Sequence, residues 1–235
     1  MGGSKVSEAF SGLSTAAVFD ASLRLKRPFR VAPPALRSLV QGCRIAGRAL
    51  PVRHYGSVDI FLEAMSNAEP GDVLVIDNGG RMNEACIGDL TVLETKASGL
   101  SGLVVWGCHR DSAELLRIGF PVFSLGAHPA GPQRLDPREP EALSEARFGG
   151  FSSTRDDVVF ADDDGVLFVS VKDVDELLPA ALAISKSERA QAEGVRGGRK
   201  LRDQLQFDVY MGRRASDPSY TFRRHLRTIG GAIEE

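Results

Sequence analysis

The chain has 235 residues, enough for one large domain or two small ones with a substantial core. Its 43% hydrophobic and 26% charged content is that of an ordinary globular protein, and a formal net charge of −2 gives no whole-molecule attraction to nucleic acid or anionic membrane. Three cysteines, Cys43, Cys86 and Cys108, without Cys-x-x-Cys spacing, argue against a disulfide framework and for a reducing compartment.

The N-terminal stretch MGGSKVSEAFSGLSTAAVFDA has no cationic segment followed by an apolar core, so no secretory signal is expected. Gly2 follows Met1, but position 6 is Val where a myristoylation signal needs Ser or Thr. No apolar run approaches the roughly 18 to 20 residues of a membrane span. A cytoplasmic protein with no membrane partner is the expectation.

In chain order, VDIFLEAMSNA (58–68) has helical period and DVLVID (72–77) reads as a short buried strand. LTVLETKAS (90–98) is again helical, GLVVWG (102–107) a strand, SAELLRIG (112–119) a helix and FPVFSL (120–125) a strand. Strand and helix alternate, which predicts βαβ units and the α/β class. Residues 127–150 are rich in proline and charge and read as a long surface excursion. DDVVFADDDGVLFVS (156–170) reads as two strands around an Asp-Gly turn. VDELLPAALAISKSERAQAEG (174–194) reads as a helix that Pro179 bends and Gly194 ends. The stretch from 194 to 235 carries nine Arg/Lys against five Asp/Glu. The expected organisation is one catalytic domain over 1–195 and a C-terminal extension over 196–235.

Residues 87–111, IGDLTVLETKASGLSGLVVWGCHRD, form one predicted return from helix to strand. Gly88 and Asp89 are placed to open the helix, with Asp a favoured cap, and Gly99 to close it. A helix of about ten residues rises roughly 15 Å. The following strand returns roughly 20 Å the other way. Asp89 is thereby expected near Arg110 and Asp111, at the edge where α/β proteins bind ligands. There the amides of Leu90 and Thr91 are first-turn donors suited to a carboxylate. Arg110 offers a permanent cationic fork, and Asp111 a hard oxygen ligand for a divalent cation such as Mg²⁺. Asp89 could hold a water of that cation. Of three Arg-Asp dipeptides, at 110, 155 and 202, only the first has an aspartate 21 positions before its arginine. The plainer alternative is that Asp89 caps a helix and Arg110 pairs with a surface charge.

Other features invite chemistry less convincingly. Cys108 and His109 are adjacent on a strand and point to opposite faces, so packing is expected rather than a dyad. Trp106 reads as core. Asp162, Asp163, Asp164 and Gly165 lack the spacing of a calcium loop and read as a hairpin turn. Gly79, Gly80 and Arg81 could equally line a site or form a simple turn. No dinucleotide or P-loop motif is present. The basic C-terminal stretch is expected to be a solvated helix or subunit contact rather than an RNA site.

Seven segments, in this order, carry a family resemblance: STAAVFDA (14–21), GRALPV (47–52), PGDVLVIDNGG (70–80), GD (88–89), GLVVWGCHRD (102–111), PVFSLG (121–126) and DDVVFADDDGVLFV (156–169). Across about residues 14–195 the chain resembles RraA-like proteins and 4-hydroxy-4-methyl-2-oxoglutarate aldolases. The resemblance implies a swivelling β/β/α fold, a β-sandwich-like core flanked by helices with a C-terminal helical extension, assembled as a homotrimer or a pair of trimers. It implies Mg²⁺ or Mn²⁺ on Asp111, substrate on Arg110, and Asp89 positioning or deprotonating a water. It further implies the Gly88–Thr91 turn holding the carboxylate of a small 2-oxo acid. Glu188, or alternatively Glu193, would reach a neighbouring subunit's site. The implied activity is retro-aldol cleavage of 4-hydroxy-2-oxo acids, or oxaloacetate decarboxylation, to pyruvate. The alternative is a non-catalytic regulator that binds a ribonuclease or other protein; such family members can lack the two acids found here. Thr91 departs from the small aliphatic residue common at its position.

Overall fold

Valine, leucine and isoleucine occupy both faces of the central strands, so each strand must be covered on both sides. The structure, a computed structural model that describes residues 3–53 and 55–230, meets that demand with a mixed sheet and two apolar clusters. Two compact units are present. One comprises Pro28–Asp175 with the segment ending at Ala16, the other Ala17–Arg27 with the chain from Glu176.

Helix α1 (Gly3–Phe10) opens the first unit, α2 (Thr15–Arg24) passes into the second from Ala17, and the first unit resumes with β1 (Phe29–Val31), β2 (Arg37–Ser38) and β3 (Ile45–Arg53). Then come α3 (Asp59–Ser66), β4 (Val73–Ile87), α4 (Asp89–Ala97), β5 (Gly102–His109), α5 (Ser112–Ile118) and β6 (Val122–Ser124). Strands β7 (Glu145–Phe148) and β8 (Phe151–Thr154) form a separate two-stranded hairpin, before β9 (Asp157–Asp162) and β10 (Gly165–Ser170). The large sheet runs β1-β10-β9-β3-β4-β5-β6-β2.

Strand β3 joins two kinds of pairing. Ile45–Arg48 pair antiparallel with β9, and Ala49–Arg53 pair parallel with β4. Pro51 lies past the point where β9 departs, where its missing N–H costs no ladder bond. Strands β3 to β6 are parallel neighbours. Successive side chains alternate between the clusters. Leu74, Ile76, Leu103 and Val105 meet Phe61 of α3, Val92 of α4 and Leu115 of α5. Val73, Val75 and Val104 pack instead with Phe148, Val159 and Phe168 from the β-hairpins. The result is an α/β fold with a sandwich-like core, a large sheet flanked by helices, and a C-terminal helical region.

Several segments differ from the sequence expectation. Strand β3 escaped it because Gly47, Arg48 and Pro51 interrupt the apolar pattern. The excursion over 127–150 ends in β7, whose Ala146 and Phe148 are buried. In β4, consecutive left-handed residues Gly79 (φ 66°) and Gly80 (φ 68°) break the ladder register after Asp77. A Cβ on Gly80 would lie 2.8 Å from the Trp106 indole nitrogen, so the bulge lets the backbone cross that ring.

The hairpin aspartates are structural. Asp162 accepts hydrogen bonds from the Thr15 amide (2.9 Å) and hydroxyl (2.7 Å), and Asp163 from the Gly42 amide.

In the second unit, α6 (Val174–Arg196) contains Pro179 and runs past Gly194. Its stop is Gly198, at φ 88°. Helices α7 (Leu201–Gln204), α8 (Phe207–Ser216) and α9 (Phe222–Ile229) follow. Tyr210 packs edge-on to Phe222 at 4.9 Å, and the buried His225 donates from Nε2 to the Leu205 carbonyl. Among the described residues no helix is long and apolar enough to cross a membrane.

Thr15 is itself buried, so Asp162→Ala strands an amide and a hydroxyl. The expected loss is about 1–3 kcal/mol of stability, read as a lower urea midpoint; an unchanged midpoint would contradict the clamp.

Candidate active site

Parallel pairing of β4 with β5 sets Ile87 opposite His109, so the residues that follow each strand emerge side by side. The Arg110 amide donates to the Ile87 carbonyl at 3.0 Å, fixing that register. Gly88 turns the chain in extended conformation (φ −146°, ψ −164°) and is the residue preceding α4. Asp89, suggested by the sequence as a cap, is instead the first helical residue.

Gly88 is required for its missing side chain. A Cβ there would collide with Asp111 Oδ2 and lie 3.3 Å from Cγ and Nε of Arg110. The Asp111 carboxylate thus rests directly over the Gly88 backbone, with Oδ2 3.4 Å from the Asp89 amide. Asp111 reaches this position in the left-handed region, at φ 59° and ψ 35°. Aspartate tolerates that conformation better than most residues, yet it costs of order 1 kcal/mol. Its partner Arg110 lies with Nε 3.6 Å from Asp111 Oδ2. The guanidinium is backed by the 128–132 loop, which the Ala85 amide pins through the Ala130 carbonyl at 2.8 Å.

Arg110, Gly88 and Thr91 line a cavity of about 310 Å³ together with Ser57, Val58, Ala85 and Ile87. Asp89 and Asp111 stand beside it through their contacts at Gly88 and the start of α4. The Leu90 amide donates to Asp89 Oδ1 at 2.7 Å, so this donor is engaged rather than open. The Leu90 side chain is 76% exposed and borders a separate hollow with Leu62 and Leu93. Thr91 therefore reaches the cavity, while Leu90 contributes only backbone near it.

Glu188 and Glu193 lie on α6, in the second unit. Burial, then the negative charge of Asp20, pushes the Glu188 carboxyl up. Glu193 pairs with Arg196 one turn along.

Cys108 is buried, and burial pushes its thiol up. His109 is held between Ser124 Oγ at 2.7 Å and Ser112 Oγ at 3.0 Å, and burial lowers its proton affinity. Cys86 was absent from the sequence-derived site, yet it is a lining residue of the cavity; its thiol, which burial pushes up, donates to the Cys108 carbonyl at 3.7 Å. Gly56–Val58 and Pro132 were also missed. They arrive on loops without a periodic pattern, and a glycine beside Tyr55 was their sole local signal.

Asp89 and Asp111 are the hard oxygen donors here, and among the described residues no group of three or more His, Cys, Asp or Glu is gathered to hold a metal. The Asp89 carboxylate accepts from the Leu90 amide, and the Asp111 carboxylate lies at the Asp89 amide; a lone carboxylate of this kind suits a cation such as Mg²⁺, which keeps several waters, and does not make a fully ligated zinc site.

Residues 15–168 match the family model for RraA-like proteins, described as Aldolase/RraA. A protein from Alkalilimnicola ehrlichii, named provisionally as a 4-hydroxy-4-methyl-2-oxoglutarate aldolase, is 33% identical over 138 residues, covering 59% of this chain and 84% of its own. An uncharacterized protein from Pseudomonas syringae pv. tomato has a similar fold, with TM-score 0.72, 24% identity and coverage of 84% and 95%. RraAS2 of Streptomyces coelicolor, described as an unusual member of the RNase ES inhibitor RraA family, matches with TM-score 0.68, 24% identity and coverage of 80% and 97%.

Extended φ and ψ suit alanine at position 88, so Gly88→Ala is expected to fold while displacing the Asp111 carboxylate. Mn²⁺ binding followed by electron paramagnetic resonance should weaken at least tenfold, about 1.4 kcal/mol. Unchanged affinity in a folded variant would show that this contact does not position Asp111.

Proposed function

The chain belongs to the RraA-like family, and from that premise we propose that it is a divalent-metal-dependent lyase. It cleaves 4-hydroxy-2-oxo acids of the 4-hydroxy-4-methyl-2-oxoglutarate type, or decarboxylates oxaloacetate, with pyruvate as product. The observation that carries this reading is the convergence of Asp111 Oδ2 and Arg110 on the Gly88 backbone beside the cavity.

Asp111 would hold Mg²⁺ or Mn²⁺, which supplies Lewis-acid polarisation of the 2-oxo group. The protein's own groups account for the rest. Arg110 pairs with the substrate carboxylate or with the oxygen on which charge develops as the C3–C4 bond breaks. Its lasting positive charge suits an enolate better than a neutral donor would. Gly88 and Thr91 orient the carboxylate at the positive end of α4, where the Leu90 amide is held by Asp89. Asp89, through a water, takes the C4 hydroxyl proton in the aldol reaction. Decarboxylation needs no such base. Glu188 completes a neighbouring subunit's site in a homotrimer or a pair of trimers. Residues 1–195 act as the catalytic domain and 196–235 as an extension, in a cytoplasmic protein.

Pyruvate release from oxaloacetate and from 4-hydroxy-4-methyl-2-oxoglutarate, with and without EDTA, tests the reading. EDTA should abolish both. Asp111→Ala should lose both, and Arg110→Ala should lower kcat by about 10²–10³. Full pyruvate release by Asp111→Ala would refute the metal assignment. The absence of any metal-dependent rate would favour a non-catalytic regulator instead.

Asp89→Asn separates the two reactions. It should slow aldol cleavage by about 10²-fold or more while leaving oxaloacetate decarboxylation within a few-fold, as expected for loss of a proton acceptor. Equal losses in both would remove Asp89 from that role.

A further inference from the structure

His109 closes β5 and is 3% exposed, yet its ring takes no part in the chemistry proposed above. Nδ1 is hydrogen-bonded to Ser124 Oγ of β6 at 2.7 Å. Nε2 is hydrogen-bonded at 3.0 Å to Oγ of Ser112, the first residue of α5. A neutral imidazole carries one donor and one acceptor, and a serine hydroxyl can serve as either, so both bonds are made at once. The main chain of His109 is held as well. Its amide donates to the Gly126 carbonyl at 3.0 Å, and its carbonyl accepts from the His128 amide at 2.8 Å.

The bond from Nε2 to Ser112 spans Arg110 and Asp111. It closes a four-residue loop whose two central positions carry the cationic fork and the proposed metal ligand. Main-chain bonds fix the flanks. The Arg110 amide donates to the Ile87 carbonyl at 3.0 Å, and the Asp111 carbonyl accepts from the Glu114 and Leu115 amides at 2.9 and 3.0 Å. Between those flanks Asp111 stands at φ 59° and ψ 35°. A left-handed conformation of this kind persists in a non-glycine residue where the surroundings enforce it.

Relaxation of φ at Asp111 to negative values would turn its side chain away from the Gly88 backbone. With β5 fixed, it would also carry Ser112 away from the imidazole. The carboxylate contact and the His109–Ser112 bond are therefore coupled through one backbone torsion. Helix α5 buries Leu115 among its seven residues, so packing alone anchors its start weakly.

We propose that His109 is a positioning residue of the site: through Ser112 it holds Asp111 in the left-handed geometry that lays the carboxylate over Gly88. The inference rests on the assignment of the metal to Asp111 above and adds the element that keeps this ligand in place. The same strand end serves Arg110. Gly126 and His128, which bond the His109 main chain, lead into Ala130 and the loop that backs the guanidinium.

Ser112→Ala removes the tie and leaves the ring bonded to Ser124. Ser112 is half-buried and lines, with His109, a hollow of about 400 Å³ from which water can reach the freed nitrogen, so the variant is expected to fold. In its metal-free crystal structure Asp111 should leave the left-handed region and Oδ2 should lose its contact with Gly88. Mn²⁺ binding to the full chain, followed by electron paramagnetic resonance, should weaken about fivefold, the scale of one hydrogen bond. Ser112→Thr keeps the hydroxyl and should bind within about twofold of the unmodified protein. His109→Gln, whose amide can extend to Ser112, should retain affinity, whereas His109→Asn, too short to do so, should lose it about fivefold. A side chain that merely filled space would lower the urea midpoint without this pattern in Mn²⁺ affinity. An unmoved Asp111 in the Ser112→Ala structure would overturn the proposal, as would Ser112→Thr binding as weakly as Ser112→Ala. So would unchanged affinity in Ser112→Ala where Asp111→Ala abolishes binding. If the unmodified protein binds no Mn²⁺, or binds it equally after Asp111→Ala, the metal assignment fails, and displacement of Asp111 in Ser112→Ala still upholds the positioning role.

Discussion

The close approach of the Asp111 carboxylate to the Gly88 backbone is the constraint on which the proposed site depends. Gly88 and Asp111, 23 positions apart in sequence (111 − 88), meet there with no side chain between the carboxylate and the backbone. The contact holds an acid over the first amides of a helix and keeps an arginine beside it. It requires a glycine at one end and a left-handed aspartate at the other, and both costs are local. A negative group near a helix N-terminus recovers part of that cost, because the helix dipole favours it.

The sheet makes this meeting possible. Parallel strands β4 and β5 end together, so whatever follows them is delivered to one edge. Strand β5 and the Val73–Asn78 part of β4 are buried on both faces, by helices α3 to α5 on one side and by the β-hairpins on the other, so a slip in register would move their valines and leucines off the side chains they pack against. Fold stability and site geometry are thereby one problem. The bulge at Gly79 and Gly80 is the place where the ladder gives way, and there the Gly80 backbone passes against the Trp106 ring.

Much of this was legible in the amino-acid order. The strands 72–77 and 102–107, the helices between them and the stop at Gly99 follow from apolar periodicity and turn residues, and Gly99 does adopt φ 78° just past α4. The meeting of Asp89 with Asp111 follows from the rise of a helix against that of a strand. The rest of the cavity lining was not legible. Gly56–Val58 and Pro132 reach the cavity on loops whose paths depend on tertiary contacts, such as the Asp136 amide on the Tyr55 carbonyl. Nor could spacing foretell that Asp89 would engage the Leu90 amide, since either first-turn donor could serve. Strand β3 was hidden by its glycine and proline, which are tolerated because it changes partners midway.

The central claim is that Asp111 and Arg110 act on one ligand, the first through a cation and the second directly. A crystal structure with Mg²⁺ and pyruvate addresses it most directly. The account predicts the cation on an Asp111 carboxylate oxygen and pyruvate oxygens within hydrogen-bond reach of the Arg110 guanidinium. Pyruvate bound elsewhere, or a cation held without Asp111, would contradict it.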